Sequence, residues 1–530
     1  MTTASSDPAR PAAAPPLPAG EPPHHEFHSS RWSAETVLTG TQKLRYLLLL
    51  GALVLFIVWD YKIALTVLNF VLCAFYAFTV WYKARCVTAS LFHKPDLAFT
   101  PAEVGALQPA ELPVFTVLVP LYKEANIVGR LLTALGKLDY PADKLDIKLL
   151  VEVDDIETAA ACRRIGLPAH IELLVVPDGT PRTKPRACNY GLEKARGDLL
   201  VIFDAEDRPD PDQLRKAVLA FRRVPAEVVC LQAKLNYFNA RQNWLTCFFA
   251  LEYTVWFELF LPGLHRIHAP IPLGGTSNHF RVEPLRRLGG WDPYNVTEDC
   301  DLGIRLARCG FRTMILDSTT WEEANSHFWN WVRQRSRWVK GYLQTHWVHT
   351  RGAGEPWRDL GVRGSLGFLF TVGGQVLTQL LNPFYWLILA AWCVWQWRLV
   401  YFDLAPHGGY TLWSKVSWVF FGLTLLLVAA NLLFILINAA ACIRRRWWFL
   451  LPYALLSPIY WAMISLAAWK GVLQLAWNPF YWEKTVHGLD DADAGGSPDL
   501  PGANNPAAPV VAPAVPPTQE PLACRDPAAG

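Results

Sequence analysis

Long apolar stretches at both ends of the chain enclose a central region of short apolar runs separated by polar turns. Tyr46 to Trp59 and Ile63 to Tyr82 are apolar and are parted by Asp60-Tyr61-Lys62. About 20 apolar residues cross a bilayer, so the second stretch spans alone and the first is marginal. A transmembrane hairpin over 41–85 is predicted, the alternative being a hairpin buried in a soluble core. Lys43, Arg45, Lys83 and Arg85 flank its open ends, which places those ends in the cytoplasm. Interfacial and transmembrane helices are predicted over 358–476. There Leu366 to Trp397 reads as more than one element, broken near Asn382-Pro383, with Leu366 to Leu381 partly in the interface. Val416 to Ala441 spans alone and meets Arg444-Arg445-Arg446, a cytoplasmic end. Trp447 to Leu475 carries Pro452 and Pro458 and is predicted to be bent or re-entrant.

The centre, 100–350, has the pattern of a soluble α/β domain. Leu199–Phe203 is a continuous apolar run, as in a strand buried on both faces of a sheet, and Val114–Val119, Ile147–Val153 and Ile171–Val176 are read as further strands. Val128, Leu131, Leu132 and Leu135 have helical spacing, and further helices are expected from Ala187 to Ala195 and from Phe328 to Gln344. Alternating strands and helices imply a mostly parallel sheet, whose ligands bind beyond the carboxyl ends of the strands. Three strands end in polar or acidic clusters: Tyr122/Glu124, Asp154/Asp155 and Asp204/Glu206/Asp207. One such end is an ordinary acidic turn; three on one sheet edge make a site.

Composition refines this picture. Hydrophobic residues make up 52% and charged residues 18% of the 530, too apolar for a soluble enzyme and too charged for a pure membrane bundle. A net charge of +3 with no basic stripe argues against nucleic acid. The 11 cysteines show no metal-ligand spacing and read as reduced apolar residues. Residues 1–40 and 490–530 are Pro/Ala-rich and are expected to be disordered tails, and no cleavable-signal layout precedes the hairpin.

Gly197 to Pro211 concentrates the candidate chemistry. A buried strand delivers Asp204, Glu206 and Asp207 at its tip, and such oxygen-rich clusters hold Mg²⁺ or Mn²⁺ together with substrate phosphates. Leu273-Gly-Gly-Thr-Ser-Asn-His279 is a loop whose backbone can approach a ligand closely, or a plain turn. Thr297-Glu298-Asp299 stands where a helix opens, as reacting acids or as capping ones. Gln334, Arg337 and Trp338 fall on one helical face, suited to a diphosphate and a sugar ring, or to a membrane surface. Phe480-Tyr-Trp-Glu-Lys-Thr-Val-His-Gly488 is a polar–aromatic loop after the last apolar segment.

The order PLYKEAN, VEVDD, TKPRACNYGL, DAEDRP, GGTSN, TED and QRSRW resembles a membrane-embedded family-2 glycosyltransferase of the cellulose, chitin and hyaluronan synthase type, over about residues 40–490. The resemblance implies a cytoplasmic nucleotide-sugar-binding domain of the GT-A fold, inserted between transmembrane helices. It implies that Tyr122, Glu124 and Asp154 (or Asp155) hold the nucleoside and Lys184 the phosphates. Asp204 with Glu206 or Asp207 would hold the Mg²⁺ or Mn²⁺. Asp299 would be the general base, with Glu298 beside it, and Gln334, Arg337 and Trp338 would bind the diphosphate and acceptor sugar. Gly275, Thr276 and Ser277 would line the acceptor side, and 477–489 would correspond to a gating loop. The sequence departs from the family in carrying Glu206 and an extra Asp207 in the metal motif, VEVDDIET in the first acidic motif, and only a loose gating-loop match. No cyclic-dinucleotide-binding stretch follows the spans. The implied activity is inverting, metal-dependent transfer of a hexose from a UDP-sugar to a growing β-glycan at the bacterial inner membrane, with polymer translocation and room for a periplasmic or outer-membrane export partner. The alternatives are transfer to a membrane lipid and a non-catalytic membrane scaffold.

Overall fold

The computed structural model describes residues 32–91, 97–352, 354–401 and 412–481. The strands are β1 (Phe115–Leu121), β2 (Leu145–Glu152), β3 (Ile171–Val176), β4 (Leu199–Ile202), β5 (Arg208–Pro209), β6 (Val228–Tyr237), β7 (Asn278–Arg281) and β8 (Arg312–Glu322). They form one mixed sheet in the order β3-β2-β1-β4-β7-β6-β8-β5. β1 to β4 pair in parallel, as do β6 and β8. β7 runs antiparallel between β4 and β6, and β5 is antiparallel to β8. The mostly parallel α/β sheet matches the sequence expectation. β7 was not foreseen, because Asn-His-Phe-Arg has neither an apolar run nor an alternation to betray it.

Every residue of β2, β4 and β6 is buried. Alternate side chains along the strands feed two cores. Leu118, Leu200 and Ile202 pack with Leu192, Trp291 and Leu302 on one face. Val117, Val119 and Val201 pack with Val128, Leu131 and Leu214 on the other. Because β1, β2 and β4 are parallel, their C-terminal tips share one edge, which gathers the three polar clusters.

Among the described residues, six helices are long and apolar enough to cross a membrane. The hairpin Gly40–Trp59 and Tyr61–Leu91 leaves Leu47, Leu48, Val58 and Trp59 exposed at 65%, 65%, 77% and 74%. Outward apolar faces of this kind suit lipid better than water. One of the six, Trp244–Arg266, is mostly covered by protein. It meets the hairpin at Gly263, where a Cβ would lie 2.1 Å from the Cys86 carbonyl oxygen. Only glycine permits that approach, which seats the α/β domain on the second hairpin helix.

Three expectations are corrected. The apolar stretch after Leu360 does not break at Asn382-Pro383: helix Gly374–Tyr401 runs through Pro383. Its irregularities come earlier, at Gly361 (φ 62°) and in the wide turn Leu369–Gly373. Trp447–Leu475 bends only at its start, since Pro452 and Pro458 occupy first-turn positions of two successive helices, where their missing N–H groups cost nothing. The tail read over 1–40 ends by Trp32. The Ser33 hydroxyl and the Ala34 N–H donate to the buried Asp292 carboxylate at 3.0 and 2.6 Å. Trp32 lies against the His349 ring and under Arg308. Residues 1–31, 490–530 and the Trp482-Glu-Lys-Thr part of the gating-like loop lie outside the described residues.

Candidate active site

A cavity of about 430 Å³ opens at the carboxyl edge of the sheet. Tyr122, Glu124, Lys184, Asp204, Glu206, Gly275, Glu298, Asp299, Gln334, Arg337 and Trp338 all line it. Residues from two strand ends, a loop and three helices therefore share one space.

At one end, Tyr122 and Glu124 follow β1. Lys123 between them has φ 55° and aims its N–H at the Asp155 carboxylate. Asp155 also accepts from the Thr158 N–H at 3.2 Å, capping helix Ile156–Ile165, and is buried. Its oxygens are committed to backbone, so the nucleoside-binding role offered to it as an alternative to Asp154 is withdrawn. Asp154 lies outside the cavity lining but is tied to it: it pairs with the lining residue Arg182 at 2.9 Å, and the hydroxyl of Tyr122 lies 3.5 Å from the same carboxylate oxygen. Arg182 also pairs with Asp178 at 2.7 Å, which holds that carboxyl below its ordinary range. Sequence reasoning missed Arg182, which lines the cavity; its one signal was its place in the polar loop before Lys184.

In the middle, β4 delivers Asp204 and Glu206. The Lys184 ammonium pairs with Asp204 and donates to the Gly275 carbonyl at 2.8 Å. Burial opposes the charge on Lys184, but Asp204 and Glu298 outweigh it and hold the amine above its ordinary value. Asp207 faces away. One of its oxygens accepts from the Asp204 N–H at 2.8 Å and from the Thr276 hydroxyl. Asp207 is absent from the cavity lining, so its metal-ligand role is corrected to shaping the acidic turn. Thr276 and Ser277 are likewise buried behind the loop. The Thr276 hydroxyl sits 3.0 Å from the Ile202 carbonyl, and the Ser277 hydroxyl 2.6 Å from that of Thr320. Of that loop Leu273, Gly274 and Gly275 line the cavity, and a Cβ on Gly275 would lie 3.4 Å from an Asp299 oxygen.

Glu322, at the end of β8, also lines this part and was missed, since nothing in its local sequence marks it. Burial, then Asp207, Asp204 and Glu206, push its carboxyl well up. Such crowding of carboxylates is relieved by a cation. Among the described residues no group of three or more His, Cys, Asp or Glu side chains is placed to hold a metal alone. Asp204 and Glu206 instead fit a hard cation that completes its shell with phosphate oxygens and water.

Helix Glu298–Arg308 starts at the cavity wall. Burial raises both Glu298 and Asp299, and in Asp299 the Cys300 N–H, donating at 2.7 Å, works in the opposite direction. Asp301 points into protein, held by Arg305 at 2.7 Å and His349 at 3.0 Å. Helix Phe328–His349 supplies the opposite wall. Asn325 donates to the Gln334 side-chain oxygen at 2.8 Å. Burial draws Arg337 below its ordinary value, against the pull of Glu298, Asp204 and Asp299. Arg335, also missed, stands 4.4 Å over the Trp338 ring and pairs with Glu252, at 2.8 Å through one guanidinium nitrogen. Its signal was its position three residues before Trp338. After the last helix the chain returns to this wall: Lys340 donates to the Tyr481 carbonyl at 2.6 Å and Gln344 to that of Pro479 at 3.1 Å.

Residues 113–341 match the family model described as Glycosyltransferase like family 2. A probable glycosyltransferase of Bacillus subtilis (strain 168) is 28% identical over 238 residues, 44% of this chain and 56% of that one. A probable glucomannan 4-beta-mannosyltransferase of Arabidopsis thaliana is 26% identical over 246 residues, 43% of each chain. This chain thus spans about half the length of the curated relatives it matches. Among solved structures, a mannosyltransferase of Pyrobaculum calidifontis in complex with GDP-Man and Mn²⁺ superposes with a TM-score of 0.50 at 20% identity, covering 78% of this chain and 99% of that one. That likeness is one of fold.

Proposed function

We propose that residues 113–341, which match the family model described as Glycosyltransferase like family 2, transfer a hexose, with inversion, from a nucleoside-diphosphate sugar to a β-glycan at the membrane. The observation that carries the proposal is the single cavity that joins Lys184, Asp204 and Glu206 to Asp299, Arg337 and Trp338. Tyr122, Glu124 and Asp154 bind the nucleoside. Asp204 and Glu206 would hold Mg²⁺ or Mn²⁺, which supplies positive charge to the diphosphate. Asp299 accepts the proton of the acceptor hydroxyl as that oxygen attacks the anomeric carbon from the side opposite the diphosphate. The bond to the diphosphate breaks, and its charge is met by Lys184 and Arg337 without a proton donor. Burial favours this division of labour, because a raised carboxyl is a stronger base than one in water.

The domain faces the cytoplasm beneath the spanning helices, and the growing product enters those helices. The motifs favour a UDP-hexose. The mannosyltransferase names of the relatives make GDP-mannose the first alternative donor. Membrane vesicles holding the full chain and Mn²⁺ would be supplied in turn with labelled GDP-mannose, UDP-glucose and UDP-N-acetylglucosamine. High-molecular-weight product from one donor, stopped by EDTA and restored by Mn²⁺, is expected. Label recovered as one short lipid-extractable species would assign a lipid acceptor, and no incorporation from any donor would sink the proposal.

A further inference from the structure

Asp292 stands on loop 291–297, which leads into helix Glu298–Arg308, and it is 2% exposed. A buried carboxylate is costly unless donors meet it. The Tyr294 N–H, 3.1 Å away, is the donor that the loop itself supplies. The Ser33 hydroxyl at 3.0 Å and the Ala34 N–H at 2.6 Å come from a segment about 260 residues earlier in the chain, one to each carboxylate oxygen. That segment, 32–39, is fastened elsewhere too. Arg351, just beyond helix Phe328–His349, donates to the Ser33 carbonyl at 2.8 Å and to that of Thr36. The Trp32 ring lies 5.5 Å from that of His349, whose Nε2 is 3.0 Å from an oxygen of Asp301, on the turn that carries Asp299. Arg308, at the end of the same helix, stacks on Trp32 at 4.2 Å. Segment 32–39 therefore touches what precedes the catalytic helix, what backs its first turn and what ends it.

Loop 291–297 is also tied to the two walls of the cavity. On the phosphate side, the Thr183 hydroxyl, beside Lys184, donates to the Pro293 carbonyl at 3.0 Å. On the opposite wall, Gln344 accepts from the Val296 N–H at 3.1 Å. The loop is thus the junction at which the donor side, the acceptor wall and Asp299 are set relative to one another. We propose that segment 32–39 is a strap that holds this junction, with Ser33 and Asp292 as positioning residues for Asp299. Neither lines the cavity, so both act through the loop and not on the substrate. The strap runs straight into the membrane-crossing helix Gly40–Trp59, whose Gln42 donates to the Trp347 carbonyl at 2.8 Å. The base is thereby fastened to a membrane helix as well as to the sheet. This rests on the sugar-transfer reading above, in which Asp299 is the base.

The full chain in lipid nanodiscs would be compared as wild type, Ser33→Ala, Asp292→Asn and the double variant. Ser33→Ala removes one donor, and Asp292→Asn keeps the shape while turning one accepting oxygen into a donor. Each single variant should lower kcat about fivefold or more and leave KM for the nucleotide sugar within about twofold, because a displaced base costs rate and not donor binding. The double variant should be no slower than the slower single one, since both changes break the same fastening. Amide hydrogen exchange over 291–300 should quicken in all three, while helix Val128–Leu135, which the strap does not touch, exchanges as in wild type. A strap that only stabilises the fold would lower the unfolding temperature and leave kcat unchanged. That result overturns the proposal, and so do additive losses in the double variant or wild-type exchange over 291–300. If Asp292→Asn does not fold, Arg351→Gln, which loosens the strap from its other side, takes its place in the cycle. Quickened exchange in a protein that transfers sugar from no donor would leave the strap's hold on the loop standing and bring down the transferase reading alone.

Discussion

Gly341 sits on helix Phe328–His349 where that helix crosses Thr297, the residue before Glu298 and Asp299. A Cβ at Gly341 would lie 2.3 Å from the Thr297 hydroxyl oxygen and 2.5 Å from its methyl, where ordinary contact begins at 3.4 Å. Thr297 cannot yield easily. Its N–H donates to the Asn295 side chain at 3.0 Å, and Asn295 donates in turn to Thr345 on the same helix at 3.0 Å. Gly341→Ala would gain about 1 kcal/mol of helix propensity and lose about 1–3 kcal/mol to overpacking. The net destabilisation is therefore at most about 2 kcal/mol, and the fold survives. The wall carrying Gln334, Arg337 and Trp338 must move by about 1 Å relative to Asp299, and a misplacement of that size costs about 100-fold in rate. Gly129→Ala is the control: nothing lies within 4 Å of its Cβ, so it should stabilise by up to about 1 kcal/mol and leave transfer unchanged. Thermal unfolding and initial transfer rates in nanodiscs check both. Transfer by Gly341→Ala within twofold of wild type would refute the claim that this crossing sets the catalytic geometry.

Other expectations follow from the same contacts. Because burial raises Asp299, and a protonated carboxyl cannot take the acceptor's proton, the transfer rate should fall on acidification well before ordinary carboxylate values near 4 are reached; a rate flat down to pH 4 would remove Asp299 from the role of base. Glu206→Gln should weaken activation by Mn²⁺ about tenfold, while Asp207→Asn should leave it unchanged; the reverse ranking in a Mn²⁺ titration would return Asp207 to the metal. Burial pushes Asp292 up to about 6, above its unfolded value, so its contribution to stability is fully present below about pH 4 and is lost as pH rises through 6. Asp292→Asn should flatten the dependence of unfolding temperature on pH in that interval, and an unchanged slope would contradict the assignment.

Leu199–Phe203 could be read from the chain because a strand buried on both faces has to be apolar throughout, and its first four residues are β4, every one of them buried. The acidic clusters after β1, β2 and β4 were legible as one edge because parallel pairing leaves no other arrangement. What sequence could not decide was direction. Asp204, Glu206 and Asp207 are neighbours of like chemistry, and only the turn, closed by the Asp204 N–H on Asp207, shows which face the cavity. Asp154 and Asp155 separate in the same way, one toward Arg182 and one onto the backbone of a helix start. Glu322 and Arg182 belong to the cavity through tertiary placement alone. Pro383 misled because a proline inside a helix that neighbouring helices support removes one hydrogen bond without ending the helix.

Asp299→Asn, measured in parallel for nucleotide binding and for sugar transfer, tests the central claim most directly. Asparagine keeps the size of the side chain and cannot accept the acceptor's proton at neutral pH. The account predicts Mn²⁺-dependent binding of the nucleoside diphosphate within about twofold of wild type, and transfer reduced by about 100-fold or more, the range general-base catalysis supplies. Transfer at the wild-type rate would contradict it, and so would loss of nucleotide binding in step with transfer, which would make Asp299 part of the donor site.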